Sequence, residues 1–498
     1  MKLFNAAQLK SWDAQTLQEE KIEIQDLINR AAQACLGPIL TILSQHTFTK
    51  LYVFCGPGNN GRDGLAVAKL LAERNYQIDI YCAEELKEEC ICIADSNQHM
   101  LAQLLMPDSD LPFIEPGSLV IDALFGSGFN QPIRGQYEKL ISLINQAKAF
   151  VVAIDLPSGI GVEPNSTLFQ EHLIAIKASI TISFQQPKPV FFFEELAKYI
   201  GNWQVIEIGL SRIFENQTNS LIHYQNELPP SKWTRNQIKF GYKGLYGHLA
   251  LFAGSVGMAG AAVLAGKAAM RTGVGLLSFY VPEPIQEIVQ ISLPEAMVNL
   301  LQTNTHPEGL SLKNKYQAIA IGPGMGKNVY SHELLQTLTE LNHDTPFVID
   351  ADAIHLCAQL LNAKPHWKFP KHSILTPHPK ELKSLVGDAP NSFELLKKAQ
   401  HFAIDKNVVV VLKGAFTRII SPDGTLVFNG TGNELLSTAG AGDVLTGIIG
   451  SLLAQGMNVF EAATYGVCLH GTCADALKLK GRHTALASDI IEEIPFWV

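Results

Sequence analysis

Residues 429–447 read Asn429-Gly-Thr-Gly-Asn433-Glu-Leu-Leu-Ser437-Thr438-Ala439-Gly440-Ala441-Gly442-Asp443-Val444-Leu-Thr-Gly447, a glycine-rich turn feeding the first turn of a helix. From Asp443 onward Val444, Leu445, Ile448, Ile449, Leu452 and Leu453 recur with helical spacing, and Gly456 marks the stop. A buried helix is expected here. Its unpaired amides and dipole place positive potential at Gly440, Gly442 and Asp443, which suits a phosphate. Asp443 is the anomaly, because an acid at a helix start is usually only a cap.

Working outward, the same grammar recurs. Leu51-Tyr-Val-Phe-Cys55 runs as a strand into Gly56-Pro-Gly58-Asn59-Asn60-Gly61-Arg62-Asp63-Gly64 and then a helix to about Tyr76. Further strands are expected at 78–82, 119–123, 150–154, 179–184 and 205–208, with helices between several of them. Residues 1–45 read as helices broken at Gly37-Pro38. Strands alternating with helices imply a parallel, doubly wound α/β sheet, whose ligands sit beyond the carboxyl ends of the strands. Three loops lie at such ends: 56–64, Asp122-Ala-Leu-Phe-Gly126-Ser127-Gly128-Phe129, and Asp155-Leu-Pro-Ser158-Gly159.

Over 211–230 the pattern dissolves into Ser, Asn and Gln and ends in Pro229-Pro230, which places a boundary between domains at 1–215 and 225–498. The second domain is again α/β, with strands expected at 248–253, 277–281, 318–321, 347–350, 373–375, 408–412 and 418–420. Its strand ends carry Gly254-Ser-Val-Gly257-Met-Ala-Gly260, Gly322-Pro-Gly324-Met-Gly326, Asp350-Ala-Asp352, Thr376-Pro-His378-Pro-Lys380-Glu381 and Lys413-Gly414-Ala415-Phe416-Thr417.

A chain of 498 residues exceeds one core, so two or three domains are expected. A net charge of −9 without a basic stripe excludes a nucleic-acid surface. The eight cysteines show neither Cys-x-x-Cys nor zinc spacing, as in a reduced, cytoplasmic protein. The N-terminus has no signal-peptide apolar core, and the uncharged run 249–266 is too rich in glycine and alanine for a membrane span.

Each loop has a plainer reading as a tight turn. His378, between two prolines, is either a fixed turn histidine or a donor to a phosphate or amide oxygen. Lys413 ends a very apolar strand, a position that suits a nucleotide phosphate or an ordinary surface lysine. Asp350 and Asp352 would help hold Mg²⁺ through water or would cap helices. Asp63, Asp122 and Asp155 fall in three successive loops, where they would repel each other unless a cation or shared proton intervened. Oxygens from Asn60, Asp122 and Ser158 would supply a hard-cation site.

As a set, the motifs at 56–64, 122–128 and 154–159 resemble the NAD(P)H-hydrate epimerase domain. Those at Lys243–His248, 254–261, 322–326, 350–352, 376–379, 412–415 and 439–443 resemble the ADP-dependent NAD(P)H-hydrate dehydratase domain of the ribokinase-like superfamily. The order is that of the fused bacterial repair enzymes. The resemblance implies two three-layer domains, a Rossmann-like one followed by a ribokinase-like one, acting on NADH or NADPH hydrated at C6 of the nicotinamide. The first would interconvert R and S epimers, and the second would dehydrate the S form using ADP.

Carried over by motif, Asn59, Asn60, Gly61, Arg62, Asp63, Gly126, Ser127, Gly128, Phe129, Asn130, Gln131, Pro132 and the catalytic Asp155 would contact the hydrate, while Asn60, Asp122 and Ser158 would bind K⁺. Ala261, Gly324, His378 and the catalytic base Asp443 would meet the hydrate in the second domain. Lys413, Gly414, Ala415, Phe416, Thr417 and Gly442 would meet the nucleotide, with Mg²⁺. The chain departs from the family pattern twice: Arg62 stands where glycine is usual, and Gly432–Ser437 replaces Gly-Asn-Pro-Gly-Met-Ala. Expected partners are small molecules only, with no nucleic acid, no membrane and a homo-oligomeric assembly. The alternative is an ATP-dependent kinase of a vitamin-like alcohol, with a non-catalytic first domain.

Overall fold

The structure is a computed structural model and describes residues 1–105, 111–129, 131–230, 240–301, 310, 312 and 315–498. The chain forms two units, Met1–Ser220 with Asn391–Phe393, and the remainder from Leu221 to Val498.

The first unit holds seven strands: β1 Leu51–Cys55, β2 Ile78–Ala83, β3 Met100–Leu105, β4 Leu119–Ala123, β5 Phe150–Ile154, β6 Ile180–Phe184 and β7 Asn202–Ile206. All pair in parallel, in the order β3-β2-β1-β4-β5-β6-β7. The order reverses direction between β1 and β4, which opens a crevice at their carboxyl ends. Both faces of the sheet are covered, one by a core that includes Cys35, Ile39, Val67 and Leu71, the other by Leu140, Ile141 and Ile144. The central strands β1, β4 and β5 are therefore apolar on both faces, Asp122 apart, rather than alternating.

The second unit holds β8 Ile222–Gln225, β9 His248–Phe252, β10 Leu276–Pro282, β11 Met297–Leu301, β12 Ala318–Ile321, β13 Phe347–Ile349, β14 Ser373–Leu375, β15 Val409–Leu412, β16 Arg418–Ile420 and β17 Leu426–Asn429. They form one sheet, β11-β10-β9-β12-β13-β14-β15-β16-β17-β8, reversing direction between β9 and β12. It is parallel except where β16 runs antiparallel to β15 and β17. The helix Ala441–Ala454 is buried at all but two of its positions and lies against the helix Ala259–Arg271. Gly447 permits this approach, since a Cβ there would fall 2.1 Å from the Ala265 carbonyl oxygen.

Several expectations need correction. The helix Ile24–Gln45 runs unbroken through Gly37-Pro38. Proline removes one backbone donor, but burial of Leu36, Ile39 and Ile42 offsets that local loss. By length and composition this helix could cross a membrane, yet its apolar face belongs to the core. The run 249–266 is strand, loop and helix. Residues 211–230 are not patternless: they hold the helix Arg212–Gln217 and strand β8. Strand β7 lies at 202–206 rather than 205–208, and β3, β11 and β17 were not expected.

Candidate active sites

In the first unit the site is built where β1 and β4 part. Gly56 and Gly61 let the loop fold tightly, for a Cβ on Gly56 would fall 1.7 Å from the Leu124 carbonyl oxygen and one on Gly61 1.9 Å from that of Gly56. Asn60, in the first turn of the helix Asn59–Ala72, is buried, and neither polar atom of its side chain has a hydrogen-bond partner among the described residues. Gly126 lies against it, with a Cβ there 3.0 Å from the Asn60 amide carbon.

Asp122, fully buried at the end of β4, accepts from the Ser158 hydroxyl at 2.6 Å, the Ser158 amide at 2.8 Å and the Leu124 amide at 3.2 Å. Burial pushes its carboxyl up to about 6 against these bonds. Ser158 Oγ in turn accepts from the Phe125 amide at 2.9 Å. The expected cation ligands Asp122 and Ser158 are thus joined directly, with Asn60 supplying unsatisfied polar atoms in the adjoining loop.

Asp155 stands at the end of β5 with φ of 64°, a conformation that side chains other than glycine seldom adopt. Its Oδ2 accepts from the Ser127 amide at 3.0 Å, so the loop that begins at Gly126 is tied to it. Its Oδ1 lies 2.9 Å from the ammonium of Lys188, and both side chains are buried. Asp63 is pushed well above the usual carboxylate range by burial and by the charges of Asp155 and Asp13. Asp13, from the helix Ala6–Glu20, is itself pushed up to about 6 by burial and then by Asp155, against Lys188. The acids that crowd together are therefore Asp13, Asp63 and Asp155, while Asp122 is satisfied separately by Ser158.

The remaining expected residues are more exposed where they are described. Arg62 turns its guanidinium to Glu89, at 3.3 Å, and to Asn59, at 3.4 Å, on the exposed side of its helix. Phe129 stacks near Phe125, with ring centroids 4.6 Å apart, and Gln131 and Pro132 are exposed beyond it. Gly128 is exposed as well, and Asn130 lies outside the described residues.

In the second unit β13 delivers Asp350 beneath the start of the helix Ala441–Ala454. The Asp350 carboxylate meets Lys413 Nζ at 2.9 Å through Oδ1 and the Thr446 hydroxyl at 2.6 Å through Oδ2. Burial alone would raise its pKa, but the charge of Lys413 and the bonds from Thr446, Lys413 and Thr376 outweigh burial and hold it low. Lys413 also lies 4.0 Å from Glu381. Its ammonium sits at the helix start, 3.6 Å from where a Cβ on Gly442 would be.

The N-cap of that helix is Gly440, at φ of 88°, with no side-chain cap. Asp443 is not the cap; it accepts no hydrogen bond among the described residues. Burial, then the charges of Asp350 and Asp352, push it up to about 7, against Lys413. A carboxyl poised near neutrality at the start of a helix has the properties of a general base.

Asp350 and Asp352 are not helix caps either: Asp352 Oδ2 accepts from the Gly326 amide at 2.9 Å and so closes the 322–326 loop. Gly324, at φ of 59°, meets Ala261 in the crevice between β9 and β12, where an added Cβ would lie 2.9 Å from that of Ala261. His378 is exposed and caps the helix Pro379–Val386, with Nδ1 accepting from the amides of Lys380 and Glu381. Its Nε2 is 3.3 Å from Glu381. Gly414, Ala415, Phe416 and Thr417 form the turn between β15 and β16, with the Thr417 hydroxyl donating to the Gly414 carbonyl.

Three residues near these sites escaped the sequence reading. Lys188 follows β6 between two prolines, and the strand-end logic applied to Lys413 would have found it. Asp13 sits in an ordinary helix and gave no signal. His470, buried in the helix Val459–Leu479, is pushed down to about 4 by burial and then Lys413, against a backbone bond with Ala441.

A family model described as "NAD(P)H-hydrate dehydratase" matches residues 249–496, and one described as "YjeF-related protein N-terminus" matches 24–190. A bifunctional NAD(P)H-hydrate repair enzyme from Coxiella burnetii is 32% identical over 489 residues, spanning 96% of this chain and 95% of its own. This chain belongs to the bifunctional NAD(P)H-hydrate repair enzyme family. A second member of the family, from Moorella thermoacetica, is 32% identical over 473 residues, 90% of this chain and 87% of its own. The crystal structure of a Bacillus subtilis ADP/ATP-dependent NAD(P)H-hydrate dehydratase, co-crystallised with ATP and Mg²⁺, is 34% identical and covers 52% of this chain and 91% of its own, with a TM-score of 0.46. Membership of the repair family sets aside the reading as a kinase of a vitamin-like alcohol.

Proposed function

We infer that the chain repairs hydrated NADH and NADPH, its first unit interconverting the R and S epimers and its second dehydrating the S form at the expense of ADP. The observation that carries this reading is the match to bifunctional relatives across both units. The work is assigned to the residues at the two sheet crevices. The protein is proposed to act in the cytoplasm as a homo-oligomer.

Inversion at C6 requires one bond to that carbon to break and re-form on the opposite face. If the ring C–N bond opens, the hydroxyl must lose a proton; if the C–O bond opens, it must gain one. Asp155, tied to the 126–132 loop through Ser127, is assigned as the group that exchanges this proton. A K⁺ ion suits the buried oxygens of Asn60, Asp122 and Ser158, because the Asn60 side chain is buried without partners and Asp122 is buried without a cationic one. Such an ion would supply positive charge for the dinucleotide phosphates and for Asp122.

In the second unit Asp443 takes the proton of the C6 hydroxyl as its oxygen attacks the terminal phosphorus of ADP, and AMP departs. The ring nitrogen's lone pair then expels phosphate from C6, and loss of a proton from C5 to water restores the dihydronicotinamide. The amides of Gly440 and Gly442 at the helix start receive the transferring phosphoryl charge, an effect worth about 3 to 4 kcal/mol per donor, while that of Ala441 is held by the Thr438 carbonyl at 3.3 Å. Lys413 and the 414–417 turn hold the nucleotide. Direct coordination of Mg²⁺ by Asp350 does not fit, because the Lys413 ammonium 2.9 Å from its Oδ1 already supplies its counter-charge and would repel the ion.

Purified protein given separated R and S hydrates tests the reading. Recovery of NADPH absorbance from the S form should require ADP, and recovery from the R form should require both sites. Recovery from neither epimer refutes it.

A further inference from the structure

The segment Gln185-Gln186-Pro187-Lys188-Pro189 follows β6 and has no part in the roles described so far. Its geometry repeats that of the Asp155 turn on the adjacent strand. Asp155 has φ of 64° and Gln185 φ of 62°. Around each, the chain closes a three-residue turn, with Leu156 N donating to the Ile154 carbonyl at 2.8 Å and Gln186 N to the Phe184 carbonyl at 2.7 Å. Positive φ at a residue other than glycine costs about 1 to 3 kcal/mol and persists where the surroundings impose it. Here two neighbouring strands carry the same strain, and the second turn brings Lys188 back onto the first.

Lys188 is 1% exposed. Its three ammonium protons have three acceptors: Asp155 Oδ1 at 2.9 Å, the Phe184 carbonyl at 2.9 Å and the Gln186 carbonyl at 3.3 Å. An ammonium with every donor spent inside the protein has none left for a substrate. Asp155 keeps Oδ2, bonded to the Ser127 amide, on the side of the proposed hydrate loop. The other titratable groups that act on this cluster are Asp13, Asp63 and the buried thiol of Cys35, none of them cationic.

We propose that Lys188 is a positioning residue of the epimerase site, whose buried ammonium holds Asp155 as an aimed carboxylate able to exchange the C6 hydroxyl proton. The proposal rests on the reading of Asp155 as the proton-exchanging group. Without Lys188, a buried carboxylate would face Asp13 and Asp63 with no counter-charge, which disfavours its charged form.

The test uses the full chain, with R-to-S conversion followed across pH in wild type, Lys188→Met, Lys188→Arg and Asp155→Asn. Lys188→Met should move the acidic limb of kcat/KM upward by at least one pH unit, with a tenfold or greater loss at neutral pH, while Lys188→Arg keeps the limb close to wild type. A uniform loss in Lys188→Met at every pH, with the limb in place, overturns the proposal. Asp155→Asn at the wild-type rate instead overturns the reading of Asp155. Thermal unfolding supplies a second readout should Lys188→Met fold poorly. Asparagine needs no counter-charge, so the Asp155→Asn, Lys188→Met double variant should regain at least half of the melting-temperature loss of Lys188→Met; an additive loss, or a double variant that also fails to fold, overturns the proposal.

Discussion

Replacing Asp443 by Asn separates a catalytic base from a helix cap by moving two observables in opposite directions. The carboxyl is raised from an ordinary 3.8 to about 7 in the folded protein. For an acid raised in this way, ionisation costs folding free energy: the penalty is absent well below pH 3.8, grows as pH rises from there to about 7, and is complete above that. At about 1.36 kcal/mol per pH unit, three units set an upper bound of about 4 kcal/mol on the penalty at pH 8.

Asparagine keeps the shape and removes the charge. Asp443→Asn should therefore stabilise the second unit above neutral pH by about 1 to 4 kcal/mol, raising its melting temperature by roughly 2 to 4 °C per kcal/mol. Below pH 4 the variant and the wild type should melt alike. Dehydratase turnover should fall by about 10² to 10⁴-fold, because the general base is gone, while epimerase activity is unaffected. Melting followed at several pH values, with S-hydrate turnover on the same samples, reads both effects. A variant that melts lower and keeps its turnover per folded molecule would mean that Asp443 caps the helix, and the reasoning fails.

Lys413→Ala should raise the KM for ADP by roughly ten- to a hundredfold, as expected for a lost charge-assisted phosphate contact. It should also lower stability by about 3 to 5 kcal/mol, because Asp350 is left buried without its partner; an unchanged KM for ADP removes Lys413 from the nucleotide site. Asp350→Asn removes the stronger of the two like charges acting on Asp443 and frees Lys413 to approach it, so the acidic limb of dehydratase activity should move to lower pH, and a limb that stays or rises contradicts the assignment. Epimerase activity should fall when K⁺ is exchanged for a larger organic cation, and Asn60→Ala should weaken the K⁺ dependence by about tenfold or more. K⁺-independent epimerisation in wild type would remove the ion from the site.

The strands at the centre of each sheet were legible because burial on both faces leaves continuous runs such as Val408–Leu412, and the glycine loops were legible because each follows such a run. Edge strands were not. β3 and β11 are edge strands, only partly buried, and a polar residue in each, Gln103 or Asn299, interrupts its short apolar sequence. β8 lies in a polar stretch and becomes a strand only by pairing with β17, some two hundred residues later in the chain. Pro38 misled because local propensity was set against a core contact invisible in sequence. At the sites, residues that act within one loop were legible, whereas Asp13, Lys188 and His470 act only where distant elements converge. The expected crowding of Asp63, Asp122 and Asp155 was right about two acids. It missed that a serine one strand away satisfies the third.

Each unit sets an acid at the end of a parallel strand or the start of a helix, and each places a lysine nearby, Lys188 buried and Lys413 half-buried, yet the lysines are used differently. Lys188 pairs with the acid assigned to chemistry. Lys413 pairs with Asp350 instead, one step removed from Asp443, and Thr446, one turn along the same helix as Asp443, fixes the other Asp350 oxygen. Had Lys413 paired with Asp443, the carboxylate would be stabilised and its affinity for a proton low. Diverting the lysine leaves Asp443 facing two carboxylates against one ammonium, so that burial first and these charges second raise it to about 7, where a base is both ionised and strong enough to accept a hydroxyl proton. The same diversion keeps the ammonium beside Gly442, at the helix end where a phosphate is expected. On these assignments the Asp350–Lys413 pair would serve nucleotide and base together, whereas the Asp155–Lys188 pair, with every lysine donor spent internally, would serve the carboxylate alone.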